Sequence, residues 1–223
     1  MGFEDFPVEL LVMIMLYLDS GDIQSMSAVS RVWYRIAHMI APLLHGLTMK
    51  VSVPVSDDGH AVIGPYPKWN FPVEVDFSYH RWVHRFSFNT IVRTLNLSNC
   101  QEIVDVSALG NVHTLILSNC FNVTDVSALG NVHTLDLSSY CNLEDVSALG
   151  SVSILDLRNC FKVVDVSSLG RVNTLDLSGC INLVDVSALG GVENLFLVQC
   201  ERLEDVSALG NVHTLNLSQC DQV

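Results

Sequence analysis

From Asp105 onward, apolar and polar positions recur with a period of 20 residues: Asp105, Asp125, Asp145, Asp165, Asp185 and Asp205 are each followed five residues later by glycine. The run DVSALGNVHTL stands verbatim at 105–115, 125–135 and 205–215, so the units read as duplicates of one ancestor. Within one unit the apolar positions are Val112, Leu115, Leu117, Cys120, Val123, Val126 and Leu129. Leu115 and Leu117 alternate as a short strand does, whereas Val126 and Leu129, three apart, suit one tight helical or 3₁₀ turn. A 20-residue coil has room for nothing longer. Each unit has a single apolar edge that it cannot bury alone. The pattern therefore predicts a solenoid whose successive strands stack in parallel, about 4.8 Å apart, around a shared core.

The stack gives the cysteines a place. Cys100, Cys120, Cys160, Cys180, Cys200 and Cys220 share one position just after the strand and are expected to form a column of buried free thiols. Parallel side-chain vectors keep neighbouring Cβ atoms too far apart to bridge, and seven cysteines is an odd number. In one unit Tyr140 takes the column position and Cys141 is displaced by one, which predicts an irregularity around Ser139 to Asn142. Upstream, Val75-Asp76-Phe77-Ser78 lies 20 residues before Leu95-Asn96-Leu97-Ser98, so 71–92 reads as a degenerate capping coil. The alternating Val51, Val53 and Val55 predict a further edge strand, and the Pro- and Gly-bearing stretch from Asp57 to Pro72 a surface loop. The last unit stops at Val223 without its return half, so the C-terminal cap is read as absent and Thr214 to Ser218 as prone to fray or to pair with another copy.

Residues 6–44 carry a helical period instead. Leu10, Leu11, Ile14 and Leu18 follow Pro7 at a favourable helix start; Ile23, Met26 and Val29 mark a second helix after Ser20-Gly21; Trp33, Ile36, Ala37 and Ile40 mark a third. Three short helices bury too little surface to stand alone, which implies a covering partner.

In order and spacing, Phe6-Pro7-Val8-Glu9-Leu10-Leu11, Ile14, Leu18, Asp22-Ile23, Met26, Val29-Ser30 and Trp33-Tyr34 resemble the F-box motif, with Phe6 where the family usually has Leu. The repeat resembles the cysteine-containing leucine-rich repeat that follows the F-box in F-box/leucine-rich-repeat proteins, with a shortened return side like that of phosphatase-regulator and internalin repeats. The expected architecture is α+β: a three-helix F-box segment over 1–46, a linker and degenerate capping repeat over 47–92, and leucine-rich repeats over 93–223. The repeats are expected to form a parallel concave sheet with helical or 3₁₀ return turns. The resemblance implies the substrate-recognition adaptor of a Skp/cullin/F-box ubiquitin ligase. Phe6, Pro7, Glu9, Leu10, Leu11, Ile14, Leu18, Ile23, Val29 and Trp33 would dock on a Skp-type adaptor, and through it on a cullin, while the repeats hold the target. A stand-alone interaction scaffold or decoy without ligase recruitment is the alternative.

Charge narrows the partners. The net charge is -13, and from Leu95 onward 15 acidic residues face 4 basic ones. Such a surface repels phosphate backbones and anionic headgroups, which argues against nucleic acid and membrane surfaces and for a basic or polar protein segment. The longest apolar run, Leu10 to Leu18, is too short to span a bilayer, and Glu4, Asp5 and Glu9 stand where a signal peptide carries positive charge. The expected setting is intracellular, cytoplasmic or nuclear. The sequons at Asn96, Asn122 and Asn216 recur with the repeat and fall largely inside predicted strands.

The six repeated aspartates could suggest calcium, but each precedes Val-Ser-x-Leu and is placed to accept N–H groups of the following turn. His113 and His133 sit on neighbouring rungs without completing a tetrahedral ligand set, so no metal or cofactor is implied. No nucleophile elbow, phosphate loop, HExxH or CxxC is present, which argues for a non-enzymatic role. The informative positions vary while the scaffold repeats. Between the two strand leucines they read Asn96, Ile116, Asp136, Asp156, Asp176, Phe196, Asn216. Asp136, Asp156 and Asp176, moderated by Arg158 and followed by exposed Phe196 and Val198, make the expected target-binding patch: acidic, with an apolar anchor.

Overall fold

The computed structural model describes residues 49–51, 60–63, 73–79, 85–88, 92–139 and 142–223. The expected F-box helices, with Phe6 through Trp33, lie outside the described residues. Eleven strands are present among the described residues: β1 (Met49–Val51), β2 (His60–Ile63), β3 (Val73–Asp76), β4 (Arg85–Phe88), β5 (Val92–Asn96), β6 (Thr114–Ile116), β7 (Thr134–Asp136), β8 (Ile154–Asp156), β9 (Thr174–Asp176), β10 (Asn194–Phe196) and β11 (Thr214–Asn216). Nine form one sheet in the order β1-β3-β5-β6-β7-β8-β9-β10-β11, and β2 pairs with β4 in a second. Each described pairing is parallel. The 20-residue period becomes the register: Leu95, Leu115, Leu135, Leu155, Leu175, Leu195 and Leu215 stand opposite one another on successive strands.

Two expectations upstream resolve differently. The degenerate coil delivers β3, which pairs β5 with a register irregularity at Val73/Glu74, and Met49–Val51 supplies the edge strand β1. The stretch from Asp57 to Pro72 is not wholly loop, because His60–Ile63 pairs with Arg85–Phe88. The β-branched pair Val62-Ile63 favours strand there.

In each later coil the return is a 3₁₀ turn: Ser107–Leu109, Ser127–Leu129, Ser147–Ser151, Ser167–Leu169, Ser187–Gly191 and Ser207–Asn211. The repeated aspartate sets each turn, accepting the N–H two residues on: Asp105 from Ser107 at 2.9 Å, Asp145 from Ser147 at 2.8 Å, Asp205 from Ser207 at 2.8 Å. Glycine follows because the rungs nearly touch there. A Cβ on Gly170 would fall inside contact distance of the Ala188 carbonyl oxygen, and one on Gly110 inside that of Ala128.

Between the strand and the next return, the chain turns at a residue of positive φ: Asn99 (64°), Asn119 (61°), Ser139 (73°), Asn159 (60°), Gly179 (76°), Gln199 (59°) and Gln219 (63°). Leu97 O accepts from Cys100 N at 3.1 Å, closing a turn whose third residue is left-handed, the type II pattern that Asn and Gly tolerate best. Ser139 keeps this conformation, and Asn142 donates to Phe121 O at 2.9 Å as Asn182 does to Phe161 O at 2.8 Å. The coil is thus regular on both sides of 140–141, and the expected irregularity itself lies outside the described residues.

The core is one continuous column of Leu, Val and Cys side chains inside the coils. Each fully buried Leu or Val contributes about 1.5–3 kcal/mol by transfer from water. Because every coil buries its edge against the next, the end differs from the middle: Leu195 is fully buried, while Leu215 on the outer strand is 37% exposed.

Candidate functional site

The inner cysteine column is structural. Cys100, Cys120, Cys180, Cys200 and Cys220 are buried thiols. Each sulfur donates to the carbonyl 23 residues back: Cys120 to Leu97 O at 3.1 Å, Cys180 to Leu157 O at 3.3 Å, Cys200 to Leu177 O at 3.3 Å, Cys220 to Leu197 O at 2.9 Å. This explains the residue type, since the position needs a small apolar side chain with one donor to serve a carbonyl turned inward. Burial pushes the Cys120, Cys180 and Cys200 thiols up to about 12, so they are not nucleophiles at neutral pH. Cys160 corrects the expectation of free thiols throughout: it is disulfide-bonded. The other described cysteines remain thiols and its partner lies outside the described residues, so the expectation of unbridged rungs fails at Cys160.

The aspartate ladder of the return side is structural as well. Asp125, Asp165, Asp185 and Asp205 lie below the usual carboxylate range chiefly through the Ser N–H each accepts, and Asp105 and Asp145 chiefly through the Ser side chain, then the same N–H. No group of three potential metal ligands occurs among the described residues.

The other side of the sheet is open and carries the variable residues. Backbone pairing sets Asp136 opposite Asp156, Asp156 opposite Asp176, and Asp176 opposite Phe196. The expected target-binding residues therefore do form one stripe across β7 to β10. Their chemistry is more constrained than the sequence indicated. Each aspartate accepts a backbone N–H two residues on: Asp136 from Ser138 at 2.9 Å, Asp156 from Arg158 at 3.0 Å, Asp176 from Ser178 at 2.9 Å. Asn96 and Asn216 do the same for Ser98 and Ser218, both at 3.0 Å. An Asx-type bond thus holds the turn after the strand, and one carboxylate oxygen of each aspartate is committed to it.

Arg158 folds onto the aspartates through Nε and Nη2. Its Nε lies 2.9 Å from both oxygens of Asp156, its Nη2 2.6 Å from Oδ2, and its Nε 3.8 Å from Asp176 Oδ2. The Asp156 hydrogen bond, ahead of the wider carboxylate field, raises the Arg158 pKa, so the charge is permanent. Asp136 is the acidic member of the stripe that Arg158 leaves uncontacted.

Phe196 and Val198 are half-buried rather than exposed, and the more exposed apolar residue on this face is Ile154, at 40%. Strand neighbours about 4.8 Å away flank the Phe196 ring, which the sequence pattern does not reveal. Phe196 also cannot accept the N–H two residues on. Val198 N instead donates to Ser178 Oγ on the preceding rung at 3.2 Å. The fold therefore compensates for an apolar residue at this position.

The two histidines that the period puts on neighbouring rungs also touch. The imidazoles of His113 and His133 are stacked, with centroids 4.6 Å apart and planes at 14°. Their 20-residue separation was the available signal, since side chains one period apart share a column.

Residues 3–43 match the F-box-like family. No curated protein matches the chain. Among solved structures, internalin C2 from Listeria monocytogenes is 22% identical with a TM-score of 0.42, over 67% of this chain and 68% of that one. The functional domain of InlJ from Listeria monocytogenes, which includes a cysteine ladder, is 16% identical with a TM-score of 0.40, over 69% of this chain and 39% of that one. The internalin inlF of the same organism is 16% identical with a TM-score of 0.26, over 82% and 88%. No helix among the described residues is long and apolar enough to cross a membrane.

Proposed function

We propose that this chain, in which an F-box-like segment precedes a repeat solenoid, is the target-recognition adaptor of a Skp/cullin/F-box type ubiquitin ligase and catalyses no reaction itself. The observation that carries this reading is the F-box-like match at 3–43 immediately ahead of a rigid sheet whose one open face varies from rung to rung. In this reading Phe6, Pro7, Glu9, Leu10, Leu11, Ile14, Leu18, Ile23, Val29 and Trp33 engage a Skp-type adaptor, and the cullin is recruited through it. The target lies across β7 to β10 on Asp136, Asp156, Arg158, Asp176, Phe196 and Val198. A basic segment with an apolar side chain suits that stripe, because a cation meets Asp136 and the apolar group meets Phe196 and Val198. The cell interior is the compartment in which such a ligase works.

The test is a binding assay between the full chain and a purified Skp-type adaptor, with Pro7→Ala combined with Trp33→Ala as control. Binding that the double substitution abolishes supports the adaptor reading. A folded chain that does not bind the adaptor refutes it and leaves an interaction scaffold.

A further inference from the structure

A second feature of the open face lies apart from the aspartate stripe. Two residues before each strand leucine, the chain reads Arg93, His113, His133, Ser153, Asn173, Glu193, His213. Arg93, His113 and His133 thus occupy three successive rungs, all exposed, in a chain whose net charge is -13. The stacked imidazoles are fixed in orientation. His113 Nδ1 lies 3.3 Å from Thr114 Oγ1, and His133 Nδ1 lies 3.2 Å from Thr134 Oγ1. With Nδ1 engaged in both rings, Nε2 is the nitrogen left to meet a partner, and among the described residues it makes no hydrogen bond.

The charged groups around the rim are few: on the strand beside Arg93, Glu74 stands opposite Thr94. His113 is held below the usual imidazole range by partial burial, then by His133 and then by Arg93. Beyond His133 the column continues with the uncharged Ser153 and Asn173, and Glu193 is tied to Asn173 Nδ2 at 2.5 Å. On the strand of His133 itself the nearest acid is Asp136, whose Oδ1 is occupied by Ser138 N. One guanidinium and two imidazoles therefore stand side by side, and no carboxylate hydrogen bond or ion pair to any of them occurs among the described residues.

We propose that Arg93, His113 and His133 form an anion-recognising rim that docks a run of side-chain carboxylates on a partner protein. The dimensions favour an acidic segment over a small oxyanion. Three rungs span about 10 Å at roughly 4.8 Å each, more than one small anion bridges, while alternate side chains of an extended segment lie about 6.8 Å apart. Arg93 supplies the permanent charge, and the imidazoles present Nε2, which is an N–H donor in the protonated, cationic ring. A carboxylate beside either ring favours its charged form, so docking takes up protons and strengthens as pH falls. This site stands independently of the ligase reading.

The experiment titrates a short poly-glutamate peptide into the full chain at about pH 6 and about pH 8, following binding and the imidazole NMR resonances. Inorganic phosphate and poly-lysine are run in parallel. The expected result is about tenfold tighter poly-glutamate binding at the lower pH, with the His113 and His133 resonances shifting on binding. The His213 resonance, in the same column but on the rung after Glu193, stays in place. Arg93→Gln and the pair His113→Asn, His133→Asn lose the binding while melting as the parent does. Binding that ignores pH, survives these substitutions or is absent overturns the proposal. So does phosphate that shifts the two resonances as far as the peptide does, because the rim would then be a site for small anions only.

Discussion

The Arg158 guanidinium folds back onto Asp156, two residues earlier, with Nε 2.9 Å from both carboxylate oxygens, and reaches Asp176 on the next strand at 3.8 Å. A basic target crossing this stripe has to displace Arg158 or settle beside it on Asp136. Arg158→Ala is therefore expected to tighten binding of a poly-lysine probe, and Asp136→Asn to weaken it. The Arg158 side chain is half exposed, so its loss changes stability by about 1 kcal/mol or less in a denaturant melt. Weaker probe binding by Arg158→Ala would show that the guanidinium contacts the target instead.

The close approach of the return turns gives an internally controlled pair. Gly170→Ala places a methyl on the Ala188 carbonyl oxygen, a backbone atom that cannot move without shifting its rung, and should cost about 1–3 kcal/mol. Gly210→Ala meets nothing within 4 Å and should melt as the parent does. Equal melting of the two variants would mean that the rungs are less tightly stacked than described.

Thiol chemistry separates folded from unfolded chain. With Cys120, Cys180 and Cys200 pushed up to about 12 and buried, alkylation by iodoacetamide should be negligible in the folded protein and complete after denaturation, as mass spectrometry of the three sites reads. Cys180→Ala removes the donor to Leu157 O and leaves a small void, at a cost of about 1–2 kcal/mol.

The return-side aspartates fix the sign of the acid response. Their folded pKa values lie below the ordinary carboxylate value, so they contribute stability that is present above that value and lost as pH falls through the folded pKa. Asp165→Asn keeps an oxygen for Ser167 N and should retain the turn while flattening the acid limb of the stability profile. Asp165→Ala loses both. Unchanged acid melting in Asp165→Asn would remove the carboxylate from the account.

Much of this architecture is legible in one dimension because a solenoid is nearly one-dimensional. Leu115 and Leu135 are core partners because they are 20 residues apart, and Ser127 through Leu129 turn because Asp125 precedes them. In the upstream coils the period is broken, and there the reading of Asp57 to Pro72 as loop missed β2, whose pairing with Arg85–Phe88 no local pattern encodes.

The candidate site shows the same division. The rung spacing, the inward cysteines and the choice of Asp136, Asp156, Asp176 and Phe196 as variable outward positions follow from the period and from strand alternation alone. What those side chains do is settled by the stacked coils. Asp136, Asp156 and Asp176 each commit an oxygen to a turn, Arg158 closes on Asp156, Phe196 is half-covered by its neighbours, and His113 lies flat on His133. The physical reason is that periodicity fixes which column a side chain occupies, whereas hydrogen bonds and ring contacts depend on rotamers and on distances of a few ångströms between rungs, and these exist only once the coils are stacked.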